Sequence, residues 1–579
     1  MTQTPAEAPR VSEKSLEFLV FAGAYGSVLE RTAGGYADAD APSVIGALAL
    51  SGRLEEAESA FASYCTRAAA EEGLARARFF LIAGLCHAGA TSRAWRHALG
   101  TVPAVLGARD ARRFWACQGL ALVRYFEGRF RRARSFARRA LAAALGASFP
   151  YARCLALDLL AHVSVHAGDI YAGLRLLSQA VELAAALGYT QNAATLRTAG
   201  LIFQLRFTLG EPAAVIEQVE ALTRSPEVSY FTRRNAWIEL ACSLALRGEG
   251  ERAAAALEAA RSIALTGTDS RGKVRWLVAH ALCSALARGA GPARESLSEA
   301  RALAAQQLTL ETEIGFVQLV FAEERSAELL ERQTWLARQT GAQRARIALD
   351  VALGRTELYA PRVEDGMGRL LLECIGRPPR ERVQRVVEAS FLGLVPWALE
   401  RAPGRRVIVT DSQLISEQAG RVRVHPAPHR PVLKLLFALR LGYRSREDLL
   451  REVWGIQRFL PGRHLPTLHT AVSRLRLALG DPDWVIMRDE GYALPEGVEL
   501  ISWEQSEQTL SASAAPPPDA RARLLEFVRA EGETGSREIA EALALSASTT
   551  LRLLRSLTAE GALLREGSGR LTRYRCAPG

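Results

Sequence analysis

At 579 residues, 49% hydrophobic and 23% charged, the chain holds enough sequence for several domains with sizeable cores and is too apolar for a disordered protein. Its formal charge of +11 favours an anionic partner, and the positive charge is almost entirely arginine: of 73 basic residues only Lys14, Lys273 and Lys434 are lysine. Eight cysteines placed singly, never as Cys-x-x-Cys, argue against a disulfide scaffold or a zinc ribbon and read as small core residues in a reducing compartment.

Residues 1–40 read as a helical cap without a signal peptide, and no uncharged apolar segment reaches membrane-spanning length, so a cytoplasmic protein with no membrane contact is expected. From 41 to 340 the chain repeats. Gly52, Gly89, Gly128, Gly168, Gly210, Gly248 and Gly289 are separated by 37, 39, 40, 42, 38 and 41 residues, a helical-repeat period. Seven and three residues before each glycine stands an apolar pair: Ile45/Ala49, Ile82/Cys86, Ala121/Tyr125, Ala161/Val165, Phe203/Phe207, Ala241/Ala245 and Leu282/Leu286. Such an i, i+4 pair is the buried stripe of a first helix. Five residues after the glycine, Ala57, Ala94, Ala133, Gly173 and Ala253 let a second helix approach closely, whereas the units at Gly210 and Gly289 lack a small residue there. Phrases such as Glu127-Gly-Arg-Phe-Arg-Arg-Ala133 and Arg247-Gly-Glu-Gly-Glu-Arg-Ala253 resemble tetratricopeptide repeats of the longer kind found in bacterial regulators. The resemblance implies an α-solenoid whose concave face holds a peptide, a protein segment or a small ligand. A further helical pair is read over 310–338. Residues 341–404, helical in pattern but broken by Pro361, Pro378-Pro379 and Pro403, read as a connector.

Next come three helices and a hairpin. Arg430 to Leu441 is apolar at helical spacing; Ser445-Arg-Glu-Asp-Leu-Leu-Arg-Glu-Val-Trp-Gly455 opens on a capping serine and closes on glycine. A third helix is expected with Pro466 at its first position, Leu468, Val472, Leu475 and Leu479 on its buried face, and Gly480 at its end. A strand-like run then breaks at Gly491. This order, with Val-Ser-Arg-Leu-Arg and Gly-Tyr-x-Leu, resembles the OmpR-like winged helix that ends many response regulators, over 405–502. The family's small leading sheet would come from Arg406–Asp411 and Arg421–His425. By family position Thr467, Thr470, Ser473, Arg474 and Arg476 would face bases or phosphates in the major groove, and Arg488 would be the wing arginine in the minor groove. The loop from Ile456 to Arg463 leaves RNA polymerase open as a partner, and Ala471 stands where the family often has a larger polar residue.

A linker at 503–518, with Ala-Pro-Pro-Pro at its end, isolates 519–579. There Arg521–Ala530 reads as a helix, Ser536–Ala544 as a second with Ser536 as cap, and a third starts at Ser546. On the third, Ala547, Leu551 and Leu554 are expected inward, with Ser548, Thr549, Arg552, Arg555 and Ser556 outward and Leu553 leaning out. Leu563–Tyr574 supplies two strands around Gly567-Ser-Gly569, a wing carrying Arg570 and Arg573. The pattern Glu538-Ile-Ala, Leu551-Arg-Leu-Leu-Arg-Ser-Leu and Gly569-Arg-Leu-Thr-Arg-Tyr574 resembles winged helices of the MarR, IclR and ArsR type, which implies DNA contact or dimerisation, so a homodimer stays open.

Catalytic signals are poor. Gly267-Thr-Asp-Ser-Arg-Gly-Lys-Val274 misses the final Ser/Thr of a phosphate loop and follows a helix, and His162/His166 lack the glutamate of a zinc protease. Neither a cofactor nor an enzyme is expected. The fold class read from the sequence is mainly α, a tetratricopeptide-like α-solenoid followed by two small α+β winged helices. The function read from it is a sequence-specific regulator binding double-stranded DNA, the repeats sensing a peptide, protein or small molecule. The alternative is a repeat scaffold whose winged helices contact proteins.

Overall fold

The computed structural model describes residues 15–577, apart from 22, 68–70, 109, 146–150, 211, 226–227, 229, 265–269, 305–306, 359, 401–403, 503–519, 544, 546 and 568–571. It divides into two compact units: one runs to Val407 and adds Ile415–Val424 and Gly497–Glu499, the other comprises Ile408–Leu414, His425–Glu496 and Leu500 onward. The chain is a helical solenoid followed by small α+β domains.

In the first unit, short helices Leu16–Phe21 and Tyr25–Arg31 precede the hairpins Ala41–Leu50/Leu54–Thr66, Glu71–His87/Thr91–Leu99, Ala111–Phe126/Phe130–Leu145, Tyr151–Ala167/Ile170–Ala186, Thr190–Arg206/Pro212–Thr223, Tyr230–Leu246/Gly250–Ala264, Ser270–Arg288/Ala290–Leu303 and Leu308–Val320/Ala327–Thr340. All seven repeat glycines sit in the turns with φ between +72° and +103°, a conformation that costs other residues about 1–2 kcal/mol. Every member of the seven apolar pairs is buried, none more than 7% exposed. The small residue after the turn works as expected: a Cβ on Gly173 would lie 2.8 Å from the Ala161 carbonyl oxygen. In the Gly289 unit the second helix starts immediately at Ala290, so the fully buried small residue is Ala293, one place earlier than in the other units. Of the near phosphate loop, 267–269 lie outside the described residues, whereas Ser270–Val274 opens a helix and Lys273 pairs with Glu299 at 2.7 Å. Cys65 departs from the core reading, since it is exposed. Among the described residues no helix is long and apolar enough to cross a membrane.

The expected connector is part of this unit, and it lies on the repeat turns. Gly89 abuts Ser270 and Gln307, Gly128 abuts Leu308 and Thr340, Gly168 abuts Gln343, and Gly248 abuts Leu392 and Gly393. Between them, Gly366 N–H donates to the Phe207 carbonyl at 2.9 Å and Met367 N–H to Thr208 Oγ1 at 2.7 Å. Later helices therefore close over earlier ones in sequence order. The approach is tight: a Cβ on Gly393 would stand 2.0 Å from the Ala245 carbonyl oxygen. The chain's own later segments therefore cover the turn edge of these hairpins.

What holds that closure is an ionic cluster. Arg206 pairs with Glu313 at 2.5 Å and Glu239 at 3.5 Å, Arg275 pairs with Glu239 at 2.7 Å, and Arg344 pairs with Asp365 at 2.8 Å and Glu313 at 3.5 Å. Arg344 also bonds the Arg206 carbonyl. Burial alone would raise the Glu313 pKa, yet Arg206 and Arg344, helped by His166, bring it from the ordinary 4.5 down to about 2. A carboxyl depressed in the folded state stabilises it fully above its ordinary pKa and loses that contribution as pH falls through the folded value. The Glu313→Gln variant is accordingly expected to unfold at a lower temperature than wild type at neutral pH. The gap should narrow steadily as pH drops from 4.5 toward about 2, measured by thermal melts across that range.

Candidate nucleic-acid interface

The first candidate reader begins with strands β1 Arg405–Val409, β2 Gln413–Gln418 and β3 Arg421–Pro426, and ends with β7 Val498–Ser502, which pair in the order β3-β2-β1-β7. The sequence reading had only two of these four. Arg406 and Glu417 form a buried ion pair at 2.9 Å, charged residues in β1 and β2 that mask the strand pattern.

Three helices follow, Arg430–Leu439, Arg446–Trp454 and Pro461–Leu479. Ser445 caps the second, its Oγ accepting the Asp448 N–H at 3.1 Å and donating to the Asp448 carboxylate at 2.7 Å, and Gly455 closes it left-handed. Leu468, Val472, Leu475 and Leu479 of the third are at most 2% exposed and pack in one core side with the first two helices' leucines. The start of this helix corrects the sequence reading. It begins at Pro461, with Pro466 inside, because Pro461 takes the first position and His464 Nδ1 accepts the Leu460 N–H at 3.1 Å. Pro466 forfeits one bond, to the Gly462 carbonyl, in an exposed first turn where water can replace it. Arg463, left in a loop by the sequence reading, thereby becomes helical and exposed one turn before Thr467. The signal that could have found it was Pro461 itself.

Thr467, Thr470, Ser473 and Arg474 are exposed on the face opposite the leucines, Thr470 Oγ1 bonding back to the Pro466 carbonyl at 2.8 Å. Arg476 is not on that face. Half-buried, it donates Nε and Nη2 to the Val485 carbonyl at 2.9 and 2.5 Å and so ties the helix to the segment entering the wing. Ala471, 5% exposed, belongs to the core and does not face a groove. The wing is a three-stranded sheet β4-β6-β5, with β4 Arg444–Ser445, β5 Ile486–Arg488 and β6 Gly491–Ala493. Gly491 is required there, since a Cβ would stand 2.2 Å from the Arg444 carbonyl oxygen. Arg488 is exposed at the wing end, beside Asp489 and Glu490, the latter paired with Arg446 at 2.7 Å.

The second candidate reader comprises helices Ala520–Glu531, Ser536–Ala542 and Ala547–Ala559 and the sheet β8-β10-β9, from β8 Thr534–Gly535, β9 Leu563–Glu566 and β10 Arg573–Cys576. Ser536 is the first helical residue and not the cap; the cap is Gly535, whose N–H donates to Glu538 at 2.8 Å. That bond, and then Arg573, hold the Glu538 carboxyl below its usual range. The third helix is turned relative to expectation: Thr550, Leu553, Leu554 and Leu557 are buried and Leu551 is exposed. The i, i+3, i+4, i+7 stripe that includes Leu553 fits the core of Leu524, Val528, Ile539, Leu563 and Tyr574. Arg552, Arg555 and Ser556 remain outward, and Thr549 is half-buried. The side chain of Ser548 and the whole of Arg570 lie outside the described residues. The expected basic wing is partly neutralised, since Arg573 pairs with Glu538 at 2.7 Å and Arg575 with Glu566 at 2.5 Å.

Residues 522–567 match the sequence profile of the IclR helix-turn-helix domain. The carboxy-terminal module is therefore an IclR-type helix-turn-helix. No match to the chain is found among curated proteins.

Arg474 and Arg476, two residues apart, should separate cleanly by experiment. Removing the Arg476→Ala guanidinium leaves the Val485 carbonyl short of its donor and is expected to destabilise the wing by about 1–3 kcal/mol, seen as a lower unfolding temperature. Arg474→Ala, exposed, should unfold within about 0.5 kcal/mol of wild type.

Proposed function

We propose that the chain is a transcriptional regulator that binds specific sites on double-stranded DNA through two winged helices. The observation that carries this reading is the IclR helix-turn-helix match over 522–567, on a module whose third helix presents Arg552 and Arg555 outward. Helix-turn-helix modules place that helix in the major groove, where arginine reads guanine and short polar groups bond phosphates. The finer division is part of the proposal: a helical cap to 40, tetratricopeptide-like repeats from 41 to 340, a connector to 404, an OmpR-like winged helix over 405–502, a linker, and the second winged helix from 519. Thr467, Thr470, Ser473, Arg474 and Arg488, joined by Arg463, are the residues proposed for the first reader, and Ser548, Thr549, Arg552, Arg555 and Arg570 for the second. The repeats serve as the sensing part, and the chain performs no catalysis of its own.

A second reading has support in particular residues. Leu477 and Met487, 76% and 61% exposed, stand near the first reader's face, and two of the second wing's arginines are ion-paired. Both features suit contact with a protein, as in a scaffold.

Retention of genomic DNA fragments by the full chain across a salt series tests the two. A steep fall of affinity with salt and enrichment of particular fragments supports the regulator; no retention at any salt supports the scaffold. On an enriched fragment, Arg474→Ala is expected to lose about 1–3 kcal/mol of discrimination against a random duplex. Removing 503–579 should shorten the protected footprint and weaken binding through lost effective concentration, leaving the central preference unchanged. An intact footprint in the truncated chain would assign the tail to assembly.

A further inference from the structure

Inside the first unit, the helices Tyr230–Leu246, Ser270–Arg288 and Leu308–Val320 form much of the lining of a cavity of about 70 Å³. It has room for a small ligand or several waters. Its lining includes the apolar Leu282, Phe316 and Val317. It also includes four guanidinium groups, Arg206, Arg271, Arg275 and Arg344, and two carboxylates, Glu239 and Glu313. Asp365, which pairs with Arg344, brings the acidic count to three, so one positive charge is left over.

The surplus falls on Arg271. The other three guanidiniums are held by Glu239, Glu313 and Asp365, whereas among the described residues Arg271 makes no ion pair. Its bonds go to neutral groups: Nη1 reaches Gln307 Oε1 at 3.3 Å and Thr309 Oγ1 at 3.4 Å, and its carbon lies 4.7 Å from the centre of the Phe126 ring. The environment resists this charge, for burial above all, with Arg275 and Arg206 as like charges, lowers the Arg271 pKa to about 10 despite an opposing pull from Tyr125. A buried cation without a counter-charge is costly, and a cavity beside it admits the missing anion. The histidine in the lining does not supply an alternative cation. Buried, and with Arg206 beside it, His166 is held neutral, its pKa well below 6.5.

We propose that this cavity is a binding site for a small monoanion, a carboxylate on a compact apolar body, with Arg271 receiving the carboxylate and Leu282, Phe316 and Val317 the apolar part. The site rests on the reading of the repeats as the sensing part and names the chemistry they sense. Its position fits that role, because the same arginines and carboxylates hold the later helices over the earlier ones, so filling the cavity bears on the closure itself.

The test uses 3-methylbutanoate and its uncharged isostere 3-methylbutanamide, titrated into the full chain by calorimetry, with inorganic phosphate as a third probe. The acid is expected to bind at least about tenfold more tightly than the amide, the scale of one buried charge-assisted bond, and Arg271→Gln should remove that difference. The wild-type comparison of acid with amide needs no variant to fold. Equal binding of acid and amide, or no binding of either, overturns the site; phosphate binding in preference to the acid overturns the apolar half of the assignment. Retention of DNA by the same preparations is scored separately: a chain that binds the acid but no DNA keeps the cavity site and loses the regulator reading, and one that binds DNA but shows no preference for the acid does the reverse.

Discussion

A helical hairpin of forty residues cannot bury its own apolar stripe, and that constraint organises most of this molecule. Each first helix carries an inward pair such as Ile82/Cys86 or Phe203/Phe207 that is buried against other parts of the stack. In the seven glycine-marked units the turn also reverses the chain sharply enough for the second helix to lie on the first, hence glycine at positive φ, with a small residue shortly after it in most of them. Stacking satisfies both demands and has a further consequence. A stack that curves brings its later hairpins over its earlier turns, where the glycines leave the backbone open to approach; Gly366 bonds the Phe207 carbonyl, Met367 bonds the Thr208 hydroxyl, and Gly393 packs against the Ala245 backbone.

Closure of that kind buries whatever lies on the inner side, and here it buries charge. Apolar residues would hold the same helices together at smaller desolvation cost, so the cluster around Arg206, Glu313 and Arg344 is a weak choice for stability alone. Ion pairs have geometry and a definite number of partners, which fixes how the later helices seat. They also make the seating sensitive to any change in local charge. Arg271, which makes no ion pair among the described residues, borders the same cluster, so a ligand at the proposed site would draw on the side chains that hold the helices together.

Much of this was legible in the sequence, because periodicity reports burial directly. The seven glycines, the apolar pairs and the small residues marked the hairpins, and Ser445, Gly455 and Gly480 marked helix ends by their capping chemistry. What escaped was decided by tertiary partners. The β2 strand hides behind Glu417, whose charge is tolerable only opposite Arg406. Leu551 and Leu553 lie on opposite sides of the helix and each can join Leu554 in an apolar stripe, so packing on Leu524 and Tyr574 decides which is buried. The docking of the connector depends on contacts between residues about 150 apart in sequence, and no local pattern announces such a pairing. Arg476 looked like its neighbour Arg474 for the same reason, since only the position of the Val485 carbonyl distinguishes them.

The pairing of charges also bears on how the two modules would divide recognition. In the second module Arg573 and Arg575 are engaged by Glu538 and Glu566, and in the first Arg476 is spent on the backbone. Among the described residues Arg474, Arg488 and Arg555 make no ion pair, and each lies on a third helix or a wing. A guanidinium already bonded to a carboxylate must break that bond before it meets a phosphate, so paired arginines contribute little net affinity while fixing local geometry. Arg474 and Arg555 face no such competition. On the proposed reading, two such modules on one chain would gain affinity through their linkage.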